Sequence, residues 1–219
     1  MSDAQSRAEK LISSWSVLYG ARKEFLKRYR TVWDVPVRDS HKDVLAEELF
    51  DGARVLEIGS SDRSLVPFLK ARFPSLVYKS MDVDRETKHD YYRLDDVAEK
   101  FDAALLVEVI EHVPFAEGVR LLARVYDLLV PGGKLIVVTP NLAHPTHFYR
   151  DPTHVTPYSH EGLGGVLVGL GFEVARAWRI FDAPVIEKGL RMYVTAPLTK
   201  YLGIDFAHSL VFVAARPKA

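Results

Sequence analysis

Cysteine is absent from this chain of 219 residues. Its absence excludes disulfides, thiolate nucleophiles and cysteine-ligated zinc together. An excess of charge of either sign is missing too: 29 Lys and Arg cancel 29 Asp and Glu. No global field draws the chain to nucleic acid or to an anionic membrane. No apolar run reaches the ~18 residues that span a bilayer, and the polar stretch up to Lys10 does not read as a signal sequence. Internal repeats and low-complexity tracts are also lacking. These absences lead to the expectation of a cytoplasmic protein without a nucleic-acid partner and without stable membrane insertion. What is present is 48% apolar residues, enough for one sizeable core and too few residues for two comfortable domains.

The stretch around which the rest is organised is Val55-Leu56-Glu57-Ile58-Gly59-Ser60-Ser61-Asp62-Arg63-Ser64-Leu65. A β-branched apolar run ends in a glycine and small polar residues, and a helix-compatible segment, Leu65 to Arg72, follows. Such a turn sets bare backbone and a helix N-terminus at the carboxyl edge of a sheet, where a nucleotide-like ligand can lie. Taken alone the pattern is equally that of a structural turn.

Downstream the period alternates between strand and helix. Strands are predicted over Leu76 to Met81, near Tyr91 to Leu94, and over Phe101 to Val107, Lys134 to Thr139, Glu173 to Ile180 and Ser209 to Ala215. Helices are predicted over Phe115 to Leu129 and Glu161 to Leu170, with a turn at Pro131-Gly132-Gly133. Alternation of this kind implies a parallel sheet covered on both faces. Upstream, apolar residues at helical spacing from Ala4 to about Trp33 predict two helices broken at Gly20, then a linker over Asp34 to His41 and a short helix from Lys42 to Phe50. The basic residues around Lys23 to Arg30 read as a solvated helix face.

Acidic residues stand at the strand ends. Asp82 lies 23 positions after Gly59, near the ~20-residue offset at which a carboxylate accepts both hydroxyls of a ribose, with Asp84 as the alternative. Asp95 or Asp96, after the third predicted strand, could meet an adenine amino group; acidic residues after strands are also ordinary turn formers.

Leu56-Glu57-Ile58-Gly59, Asp82, Glu108-Val-Ile-Glu111-His112-Val113 and Leu129-Val-Pro131-Gly132-Gly133-Lys134 together resemble class I S-adenosylmethionine-dependent methyltransferases, in particular their small-molecule O-methyltransferase branch. The segment Arg150-Asp151-Pro152-Thr153-His154-Val155-Thr156-Pro157-Tyr158 is similar to one in methyltransferases of polysaccharide and secondary-product pathways. The resemblance implies a Rossmann-like, doubly wound α/β fold. Its sheet would have seven strands, mostly parallel with an antiparallel edge strand, beside an N-terminal helical extension. Residues 1–50 would be a helical cap and 51–219 the methyltransferase domain. The implied cofactor is S-adenosyl-L-methionine. Gly59, Ser60 and Ser61 would approach its methionine part and Asp82 its ribose, while Val107 and Glu108 would lie beside the sulfonium. Glu57, Val83, Asp95 and Asp96 complete the implied cofactor-binding set. Relatives commonly carry glycine where this chain has Ser61 and Arg63. An inward Arg63 would block the cofactor or contact its carboxylate.

Methyl transfer from a sulfonium is an in-line displacement, and a hydroxyl acceptor must also lose a proton. His112 and His154 are the candidate bases, since an imidazole titrates near neutrality. His112, ahead of Pro114, has a rival role as a turn cap, and Tyr158 could touch the acceptor. No metal is expected. As an alternative, Glu108, Glu111, His112 and His154 could hold a divalent cation, a pattern resembling metal-dependent small-RNA 2′-O-methyltransferases. A non-catalytic scaffold on the same fold also stays open. A nicotinamide oxidoreductase is disfavoured, because no Gly-x-Gly-x-x-Gly follows the first strand. The expected acceptor is a small molecule or glycan precursor. Residues 182–207 are too long and apolar for a hairpin loop and read as a lid or a homodimer contact.

Overall fold

The computed structural model describes residues 2–218. Arg54–Ile58 (β2) and Phe101–Val107 (β4) pair in parallel within a seven-stranded sheet of order β1-β6-β7-β5-β4-β2-β3, with β2 one strand from the β3 edge. The remaining strands are Val37–Arg38 (β1), Val77–Met81 (β3), Leu129–Pro140 (β5), Glu173–Ile180 (β6) and Ser209–Ala215 (β7). All pairings are parallel except those of β7 with β5 and with β6. Strand order reverses between β2 and β4, so the crevice at their carboxyl ends is where such a sheet receives a ligand.

Alternation along the strands fills two cores. Leu56, Ile58, Ala104, Leu106, Leu135 and Val137 face one, and Val55, Ala103, Leu105, Ile136 and Val138 face the other. The first core is covered by Asp3–Ser13 (α1), Trp15–Leu26 (α2), Phe115–Leu128 (α5) and His160–Gly169 (α6). The second receives His41–Glu48 (α3) and Val66–Arg72 (α4). No helix among the described residues is long and apolar enough to cross a membrane.

Four local expectations are corrected. The strand near Tyr91 to Leu94 does not form. The Asp90 carboxylate accepts the Ser80 N–H (2.9 Å) and Ser80 Oγ (3.1 Å), taking the edge donor a further strand would need, and only a Met81–Tyr91 bridge remains. The seventh strand comes instead from the linker, where Val37 and Arg38 pair with Arg179 and Ile180. Because β1 is added beyond β6, the antiparallel β7 lies inside the sheet rather than at its edge. The N-terminal helices break at the extended Ser14, not at Gly20, which lies within α2. Pro131-Gly132-Gly133 is not a turn ahead of a strand but an irregularity inside β5, with Gly132 at φ 80°.

The glycines of α6 let the N-terminal helices approach closely. A Cβ at Gly164 would stand 2.5 Å from Phe25, whereas Gly20 has open space around it. Gly164→Ala is therefore expected to destabilise: overpacking costs ~1–3 kcal/mol and exceeds the gain in helix propensity, ~1 kcal/mol. Gly20→Ala keeps only the gain. Thermal melts of the two variants should move in opposite directions.

Candidate active site

The glycine turn is shaped by φ angles that L-residues seldom adopt. Gly59 sits at φ 69°, and a Cβ there would meet Val109 Cγ2 at 2.4 Å. Ser61 (φ 41°) and Arg63 (φ 61°) are left-handed as well, at the positions where the resemblance led to expect glycine. The backbone thus keeps the glycine conformation at a strain of ~1–2 kcal/mol per residue. Arg63 does not enter the crevice: Nη1 donates to Lys88 O (3.2 Å) and the guanidinium lies 5.7 Å from the Tyr78 ring centroid.

A cavity of about 340 Å³ opens at the switch point, lined among others by Gly59, Asp82, Val83, Glu108, Val109 and His112. The Asp82 carboxylate accepts the Ser61 N–H (2.7 Å) and the Asp84 N–H (3.0 Å) on separate oxygens. Each oxygen keeps a lone pair for a further donor. The rest of the cofactor set lies outside the lining. Glu57 and Ser60 are buried beneath the turn, with Ser60 Oγ 3.1 Å from His89 Nδ1. Ser61 is exposed at the turn, Val107 packs on the second core, and Asp95 and Asp96 are exposed in a 3₁₀ turn.

Glu57 accepts the Tyr78 hydroxyl, and burial pushes its carboxyl up to about 7. The folded protein therefore holds a proton that the unfolded chain releases above ~4.5. This contribution to stability is full at about pH 4 and is lost as pH rises through about 7, on the order of 3 kcal/mol in all. Glu57→Gln should flatten that slope in denaturant titrations at about pH 5 and about pH 8.

A second, wider cleft of about 630 Å³ adjoins the first and is lined among others by His41, Glu108, His112, His147, Arg150, His154 and His208. Glu108 and His112 line both cavities. Glu108 is held at φ 54° and accepts Ser209 Oγ at 3.0 Å. Nothing in the residue pattern singles out His41, His147 or His208. The one usable signal was that an antiparallel last strand begins at the edge where the parallel strands end, which places His208 there. Burial holds His41, His147 and His208 below the usual imidazole range.

His112 and His154 meet edge to face, with centroids 4.7 Å apart. His154 Nδ1 lies 2.7 Å from Phe148 O, a carbonyl that can only accept, so Nδ1 carries the proton. Thr153 Oγ1 gives its hydrogen to Asp151 (2.6 Å), so His112 Nδ1, 2.9 Å away, must donate to it. In the neutral form of each ring the lone pair is therefore on Nε2. Beside them Glu111 is fully buried. Its Oε2 accepts Thr139 Oγ1 (3.0 Å), and its Oε1 has no hydrogen-bond partner among the described residues. Burial, reinforced by the neighbouring Glu108, pushes the Glu111 carboxyl up to about 9. One ligand atom each from Glu111, His112 and His154 lies within 4.8 Å of the others, a set able to hold a divalent cation. Tyr158 does not face this cleft. It is buried against Phe115, a correction to its expected contact with the acceptor.

A family model described as a methyltransferase domain matches residues 28–177. A sequence search finds no match among curated proteins. Among solved structures, the chain resembles a SAM-dependent methyltransferase from Archaeoglobus fulgidus (TM-score 0.64, 17% identity, 80% of this chain and 90% of that one). It also resembles an S-adenosylmethionine-dependent methyltransferase from Mesorhizobium loti (0.58, 13%, 80% and 96%). A third likeness is to the putative methyltransferase in complex with the Haloferax volcanii Trm112 methyltransferase activator (0.60, 14%, 93% and 97%).

Proposed function

Since the chain belongs to the family described as a methyltransferase domain, we propose that it is an S-adenosylmethionine-dependent methyltransferase that methylates an oxygen of a small molecule or glycan precursor, with His112 as the base. The observation that carries this reading is the sharing of Glu108 and His112 between the two cavities. A group seated in the first cavity and a hydroxyl seated in the second would meet at these two side chains.

The cofactor, when bound, supplies a sulfonium methyl group. Gly59 offers bare backbone to it, and the Asp82 carboxylate, already oriented by two amides, takes ribose hydroxyls on its free lone pairs. His112 accepts the acceptor's proton at Nε2, because its Nδ1–H is committed to Thr153. The Glu108 carboxylate, fixed by Ser209, lines both cavities with His112. His154, locked by Phe148 O, fixes the His112 ring by edge-to-face packing.

A second reading is favoured by the buried orphan oxygen of Glu111. A divalent cation held by Glu111, His112 and His154 would bind and acidify the acceptor hydroxyl, and His112 would then be a ligand rather than a base. Release of S-adenosylhomocysteine with hydroxyl acceptors and their deoxy analogues, in chelator and after readdition of Mg²⁺ or Mn²⁺, separates the two. Turnover that persists in chelator supports the base. Turnover lost in chelator and restored by one cation supports the metal. Equal turnover of the deoxy analogues overturns O-methylation.

A further inference from the structure

Between β6 and β7 the chain leaves the carboxyl edge of the sheet as a helical arm. It consists of Val185–Gly189 (α7), a π-helical turn over Leu190–Val194 and Ala196–Tyr201 (α8). Gly189, Leu190 and Thr195, at its junctions, all keep right-handed helical angles, so the arm runs as one piece. Ile186, Leu190, Val194, Leu198 and Leu202 recur every four residues. A four-residue step in an α-helix drifts by about 40° per turn, and the wider π turn in the middle offsets that drift. The five therefore form one stripe, flanked by Val185, Tyr193 and Tyr201. All eight are more than half exposed, with Ile186 at 88% and Tyr201 at 87%. They make up half of the large apolar side chains exposed among the described residues.

We propose that this stripe is the contact between two copies of the chain, and that the contact seats the arm that shapes the acceptor cleft. Area and charge identify the occupant. Eight such side chains offer on the order of 1,000 Å² of apolar surface, more than monomers usually leave open and close to what each partner of a stable dimer buries. Two of the arm's three cations are neutralised by ion pairs, Lys188 with Asp39 and Arg191 with Glu187 at 2.9 Å, and Lys200 alone is exposed without an ion pair among the described residues. With a net charge of zero, two copies meet without repulsion. A helix lying on a membrane would instead need a row of unpaired cations along its flank.

The link to the cleft runs through packed rings. The Arg191 guanidinium stands 4.8 Å from the centroid of Phe206, which packs on His144, and His144 packs on His147 in the cleft wall. The dimer is independent of the reaction assigned above, whereas its effect on acceptor binding rests on that reading.

The chain's lack of cysteine gives a clean test. In an antiparallel two-fold pairing the central residue of the stripe meets its own copy and the end residue does not. Val194→Cys should form a disulfide-linked dimer at least about tenfold faster than Ile186→Cys under the same oxidant. Sedimentation of the wild type at micromolar concentration should give twice the chain mass. The double variant Leu190→Glu/Val194→Glu should sediment as a monomer with an unchanged melting temperature, an unchanged cofactor Kd and an acceptor KM raised at least about tenfold. A monomeric wild type, or equal cross-linking of the two cysteine variants, overturns the dimer. A monomer that co-sediments with phosphatidylcholine vesicles overturns it in favour of a membrane surface. A dimer whose double variant keeps the acceptor KM overturns the link to the cleft.

Discussion

Gly59→Ala is expected to unfold or empty the cofactor cavity, and to do so far more severely than alanine at another left-handed glycine. Two costs fall on this position. An L-residue held at φ 69° loses ~1–2 kcal/mol. The added Cβ, 2.4 Å from Val109 Cγ2, must displace a side chain that itself lines the cavity, at an overpacking cost of ~1–3 kcal/mol. Together these amount to ~2–5 kcal/mol, a fall of roughly 5–20 °C in Tm for a chain of this size. Gly52, at φ 82° with nothing within 4 Å, is the internal control, because Gly52→Ala bears the first cost alone. Melts of both variants with and without S-adenosylhomocysteine check the claim. If Gly59→Ala keeps its ligand-induced shift, the closest approach at the turn has been misplaced.

His112→Gln is expected to lower kcat by ~10²–10⁴-fold while cofactor Kd changes by less than about tenfold. Its ring stands where the two cavities join, and its Nε2 is the ring nitrogen left with a lone pair. His154→Gln should cost less, since this side chain lines only the acceptor cleft and acts through the packing of His112. Single-turnover release of S-adenosylhomocysteine from preformed complexes measures both variants free of product release. Equal losses in the two would point away from a lone base and toward the shared cation site.

The frame of this fold was legible because its signals are local and repeat. The apolar runs at Val55, Phe101 and Ser209 carry the period of buried strands, and the glycine turn after the first marks the carboxyl edge. What escaped depends on partners distant in sequence. Two residues at Val37 become a strand only because β6 offers an open edge, and Arg179 donates to Pro36 O at 2.7 Å. The segment around Tyr91 has strand composition, yet the Asp90 side chain takes the hydrogen bond that a ladder would use. The site divides in the same way. Gly59, Asp82, Glu108 and His112 follow from strand ends and fall together. His41, His147 and His208 come from three separate parts of the chain and meet only through topology. The concern over Arg63 is answered by Tyr78 and Lys88, neither of which any spacing rule connects to it.

If the crevice between β2 and β4 binds the methyl donor with Asp82 at its ribose end, calorimetric titration with S-adenosylmethionine and S-adenosylhomocysteine should give saturable binding of both ligands by the wild type. Repeated on Asp82→Ala, the titration should give affinity weakened by ~1.5–3 kcal/mol, about 10- to 100-fold, as expected when a charged hydrogen-bond partner is removed. Absence of heat and of thermal stabilisation with either ligand, or equal affinity in Asp82→Ala, would contradict that placement.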